Sequence, residues 1–99
     1  MRPEDLPTKK KLIQLAEEAS ELAQASLKMI RAMDGDTPMF DCTAWGHIRE
    51  EIADVEVCSH VLMTDDEDKE KIVDIFCKKY QRWSERLNGC SEVSEVHTE

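Results

Sequence analysis

The chain has 99 residues, of which 40% are hydrophobic and 35% charged, and its 22 acidic against 13 basic side chains give a formal net charge of −9. That length suits one domain, and an acid excess of this size repels phosphodiester backbones, which argues against a nucleic-acid polymer as partner. With only two Phe, one Tyr and two Trp the core is modest, so part of the apolar surface is expected to face another copy, in a homodimer or homotetramer.

The lead-in MRPEDLPTKKK carries Pro3 and Pro7 and no apolar stretch, so no signal peptide is expected there. No apolar run approaches a membrane span. Cys42, Cys58, Cys77 and Cys90 show neither C-x-x-C nor zinc spacing, and the simplest reading is a cytoplasmic chain with reduced thiols.

From Thr8 onward the apolar period is helical and no alternating strand pattern appears. A first helix is expected over residues 8–33, with Thr8 as N-cap and a stripe of Leu12, Leu15/Ala16, Ala19, Leu22/Ala23, Met29/Ile30 and Met33. A loop, DGDTPMFDCT, follows over 34–43. A second helix is expected over 44–63, with Ile48, Ile52, Val55, Cys58 and Leu62 inward. The run TDDEDKEK supplies a turn, a cap and first-turn acids for a third helix over 67–87, whose inward set is Ile72, Ile75/Phe76, Tyr80, Trp83 and Leu87. Asn88-Gly89 reads as its stop, and residues 90–99 as a frayed tail. The predicted fold is all-α: an antiparallel bundle of three long helices, completed by oligomerisation.

Two carboxylate pairs stand out on this frame. Glu18 and Glu21 in AEEASELAQA, and Glu51 and Asp54 in REEIADVEV, are each spaced i, i+3, one turn apart on one helix face. At about 100° per residue, Glu18 and Glu21 border the stripe of the first helix while Glu17 tends outward. Glu51 lies within the stripe of the second, Asp54 lies at its edge, and Glu50 and Glu56 point away. A carboxylate in an apolar stripe must be protonated, paired with a base or bound to a metal, and bases are scarce on these faces. Four clustered acids repel one another, and a hard cation such as Mg²⁺ removes that cost while keeping positions open for phosphate oxygens. A solvated helix face is the plainer reading of one E-x-x-E; two pairs leaning into neighbouring stripes favour the metal.

E-E-x-x-E at Glu17, Glu18 and Glu21, followed after a loop by E-x-x-D at Glu51 and Asp54, resembles the MazG-like nucleotide pyrophosphohydrolases over roughly residues 12–62. The resemblance implies an all-α oligomer that hydrolyses (deoxy)nucleoside triphosphates to the monophosphate and pyrophosphate, with Mg²⁺, or Mn²⁺ as substitute. It implies Glu18, Glu21, Glu51 and Asp54 as metal ligands and Glu17, Glu18 and Glu51 as the catalytic set, Glu17 orienting water. Beyond the motif, His47, Lys79 and Trp45 are local candidates for substrate contact, with Phe40 as a second ring able to stack on a base. For each a blander role competes: solvation for His47 and Lys79, core packing for Trp45 and Phe40. The alternatives are a phosphoribosyl-ATP pyrophosphohydrolase-like enzyme and a non-enzymatic helical interaction module with a structural metal site.

Overall fold

The computed structural model describes the backbone of residues 1–36 and 41–95 and the side chains of 1–36 and 42–89. The described residues form three long helices and no strand. A 3-10 turn at Pro3–Asp5 precedes α1 (Thr8–Met33), α2 (Asp41–Leu62) and α3 (Asp66–Glu95). Among the described residues no helix is long and apolar enough to cross a membrane. The chain groups into two units, Met1–Thr64 and a second beginning at Asp65.

In the first unit α1 is a run of good helix formers without an internal Gly or Pro. Thr8 is not its cap. Pro7 holds that position with φ −59°, and its carbonyl accepts the N–H groups of Lys10 and Lys11 at 3.0 and 3.1 Å. Proline fixes φ at the entry but has no side-chain acceptor, so α1 starts without a side-chain cap. The far end closes as a Schellman turn. Gly35 takes φ +77°, its N–H bonds to Ala32 O at 3.1 Å, and Asp36 N–H bonds to Arg31 O at 2.8 Å.

α1 packs on α2, and the 3-10 turn also touches α2. On α1 the positions turned from solvent are Lys11, Leu15, Glu18, Leu22, Ala25, Met29 and Ala32; on α2 the main line is Ala44, Ile48, Glu51, Val55, Cys58 and Leu62, with Gly46, Ser59 and Val61 half-buried beside it. Both lines advance by alternating steps of three and four residues, the spacing that keeps one helix face on its neighbour. The α1 line differs from the predicted stripe. Leu12, Ala16, Ala19, Ile30 and Met33 are exposed, and the buried line runs one residue, about 100°, away from the expected centre at Ala19 and Ser26. Alanine at 16, 19 and 23 makes two adjacent faces of α1 apolar, and the larger side chains Leu15, Leu22 and Met29 occupy the seam. On α2, Ile52 is exposed rather than inward, and the helix begins at Asp41, inside the segment expected as loop.

The second unit has α3 as its one described helix. Asp65 caps it, its Oδ1 accepting the Glu67 N–H at 3.0 Å. Asn88-Gly89 does not stop it. Gly35 is the described glycine with positive φ, so Gly89 makes no left-handed turn, and α3 continues to Glu95 where a frayed tail was expected from residue 90. Glycine weakens a helix by about 1 kcal/mol relative to alanine without breaking it. The predicted inward set is not buried. Ile72, Ile75, Phe76, Tyr80, Trp83 and Leu87 are all exposed, with Phe76 and Tyr80 stacked at 6.4 Å between centroids. A single helix has a face but no core of its own.

Candidate metal centre

The α1–α2 seam carries two acids at positions otherwise held, Lys11 apart, by apolar groups. Glu18 falls between Leu15 and Leu22, and Glu51 between Ile48 and Val55; both are half-buried. Asp54, one turn beyond Glu51, is exposed at the rim. One ligand atom from each of Glu18, Glu51 and Asp54 lies within 4.8 Å of the others, the group among the described residues able to hold a metal ion. Two helices thus deliver three carboxylates to one point, and α1 contributes its member from the seam, not from the edge where the spacing places it.

The electrostatics record the crowding. Burial pushes the Glu18 carboxyl above the ordinary carboxylate range; the charges of Glu21, Asp54 and Glu51 push it further, and a hydrogen bond from Gln14 opposes them. Glu51 is raised by burial first and then by Glu21, Asp54 and Glu50, with His47 acting the other way. Glu51 Oε1 is enclosed without a hydrogen-bond partner. A buried, partnerless carboxylate oxygen is rare because its desolvation is costly, and among acids the cost is relieved by a proton, a base or a cation. Three oxygen donors with space for water suit a hard divalent ion.

Glu21 is exposed and outside the three-residue cluster, but its charge is the strongest acting on both Glu18 and Glu51. Glu17 is exposed and shares a surface hollow of about 470 Å³ with Ala16, Glu18, Ser20 and Glu21. His47 is exposed on α2, near enough to Glu51 for its charge to act there. Trp45 lies on α2 and is half exposed rather than packed in a core. Lys79 is exposed on α3, in the second unit. Phe40 lies outside the described residues.

Two neighbours of the cluster are absent from the carboxylate motif. Gln14 Nε2 donates to Glu18 Oε2 at 2.8 Å; its i, i+4 spacing was the available signal. Cys58, one turn past Asp54, is half-buried, and burial together with the charges of Glu18 and Asp54 raises its thiol pKa. Behind it lies a cavity of about 130 Å³, lined by Pro3, Leu6, Lys11, Gln14, Val57, Cys58 and Val61. A thiol held in its protonated form is a poor ligand for a hard cation.

No protein-family model, no curated protein and no solved structure matches this chain.

Proposed function

We propose that Glu18, Glu51 and Asp54, with Glu21 beside them, hold Mg²⁺, or Mn²⁺ in its place, and that the chain is a MazG-like nucleotide pyrophosphohydrolase acting in the cytoplasm on (deoxy)nucleoside triphosphates. The observation that carries this is the convergence of three carboxylates from two helices around the enclosed, partnerless Glu51 Oε1. The order of facing residues, Gln14 beside Cys58 and Glu18 beside Asp54, supports an antiparallel α1–α2 pair.

Bound there, the cation supplies neutralisation of phosphate charge and a lowered pKa for an attacking water. The chain's own groups do the rest. Glu18 and Glu51 fix the site because the seam restrains their side chains. Glu17, exposed beside Glu18, orients the water and accepts its proton. The water oxygen joins the α-phosphorus, the α–β anhydride bond breaks and pyrophosphate leaves. His47, whose charge reaches Glu51, would meet a phosphate or sugar oxygen, and Trp45 would offer a ring face to the base.

The exposed Leu12, Ile13, Leu27, Ile30 and Met33 support a homodimer or homotetramer, since a monomer leaves this much of α1 to water. A monomer mass by light scattering at micromolar concentration contradicts that assembly. The exposed stripe of α3 favours a second reading, a helical interaction module in which the metal is structural. Pyrophosphate release separates the two. A panel of NTPs and dNTPs with Mg²⁺ should yield monophosphate and pyrophosphate from at least one nucleotide, and no turnover of any of them leaves the module.

A further inference from the structure

We infer that Gln14 is a positioning residue for the carboxylate cluster, its amide holding the Glu18 side chain in the arrangement a divalent cation requires; this rests on the reading of the cluster as a cation site. Gln14 precedes Glu18 by one helical turn, and its Nε2 donates to Glu18 Oε2 at 2.8 Å, a short bond for an amide N–H. Among the described residues Glu18 is the one carboxylate of the three with a side-chain partner, while Glu51 Oε1 has none. A glutamate has three side-chain torsions to restrain, and a free one loses that rotamer freedom on binding an ion. Gln14 removes part of the cost in advance.

The chemistry of the partner fits the task. A lysine or arginine at this position would orient Glu18 equally well but would neutralise it and repel an incoming cation. An amide orients without cancelling charge and leaves the remaining lone pairs of the carboxylate for the ion. Gln14 is exposed, and it borders the 130 Å³ cavity together with Val57, Cys58 and Val61 of α2, at the edge of the α1–α2 seam. Groups that orient metal ligands in this way typically contribute about 10–100-fold to metal affinity. An exposed neutral donor belongs at the low end, about tenfold.

The test is a double-mutant cycle read by Mn²⁺ binding, with free and bound ion distinguished by electron paramagnetic resonance. Gln14→Ala should weaken Mn²⁺ about tenfold and alter the bound-ion spectrum, at unchanged helicity by circular dichroism, because alanine is the better helix former at an exposed site. In a Glu18→Gln background the same change should cost nothing further, since its effect passes through Glu18. Unchanged affinity in Gln14→Ala, or an equal loss in both backgrounds, overturns the positioning role while the cluster stands. Wild-type binding no tighter than that of Glu51→Gln overturns the cluster itself, and Gln14 with it.

Discussion

The α1–α2 seam and the apolar stripe of α3 are written in the same alternation of three and four residues, and they end in opposite environments. Ala44 is 1% exposed in the seam, whereas Trp83 on α3 is 61% exposed. Both helices of the seam and α3 form because helix hydrogen bonds are local. A stripe becomes a core only when a second face meets it, and in the first unit that meeting carries Glu18 and Glu51 inside. Chemistry follows from the same difference. An acid on the solvated flank of α3 pairs with a lysine one turn away, as Glu67 does with Lys71 at 3.2 Å and Asp74 with Lys78 at 3.1 Å. Among the described residues Glu18 and Glu51 make no such ion pair and lie beside one another's charge instead.

The strongest way to break this contrast is at Glu51. Glu51→Gln should abolish Mg²⁺-dependent pyrophosphate release, a loss exceeding the roughly 10–100-fold that outer partners of a metal contribute. The same variant should melt at a higher temperature than wild type without metal, because it removes one of the crowded charges raising Glu18. Activity lost with stability gained is the signature of a strained functional site. Both quantities falling together would mean Glu51 only packs.

Truncation tests the packing side. Ile48→Ala, at a position 9% exposed, should cost on the order of 2–4 kcal/mol in urea unfolding. Trp83→Ala removes a larger side chain from an exposed site and should stay within about 0.5 kcal/mol. A Trp83 effect as large as that of Ile48, measured at dilution, would show that α3 has a buried partner in solution.

This contrast also marks what could be seen in advance. The all-helical class is legible because apolar residues recur at helical spacing throughout and Gly and Pro are few. The place of Glu51 is legible because Ile48, Val55, Cys58 and Leu62 bracket it on one line. The α1 face is not, because small alanines at 16, 19 and 23 lie beside the larger Leu15, Leu22 and Met29. Periodicity gives two adjacent apolar lines there, and only the fit against α2 selects one. That rotation of about 100° carries Glu18 into the seam and leaves Glu21 outside the cluster as a nearby charge. The fate of α3's stripe is likewise a question of partner, and a stripe does not name its partner. Gln14 escapes a motif of carboxylates because its contribution is a donated hydrogen bond.

Acid should soften the seam's conflict and leave α3 untouched. Glu18 and Glu51 both titrate above the ordinary carboxylate range in the folded chain, so between that range and their raised values the folded state holds more protons than the unfolded one. Their contribution is most favourable in acid and is lost as pH rises through the folded values. Metal-free protein should therefore melt at a higher temperature near pH 5 than near pH 7.5, and Glu51→Gln should flatten that slope. Saturating Mg²⁺ should reverse it, because protons and the cation compete for the same oxygens. A wild-type slope unchanged in the Gln variant would assign the effect to the net charge of −9 rather than to the seam.

Small effects of opposite sign should come from two glycines, one in each unit. Gly35 ends α1 with φ +77°, where an L side chain is strained whatever the space around it. Gly35→Ala should cost about 1 kcal/mol, lost from the Schellman turn that closes α1. Gly89 lies within α3, takes no positive φ, and a Cβ there would meet nothing within 4 Å. Gly89→Ala should raise the helicity of α3 by circular dichroism and add up to about 1 kcal/mol, since alanine narrows the unfolded ensemble and suits a helix interior. A loss of helicity on Gly89→Ala would place the end of α3 at Asn88-Gly89 after all, and with it a glycine in the left-handed turn that only Gly35 makes among the described residues.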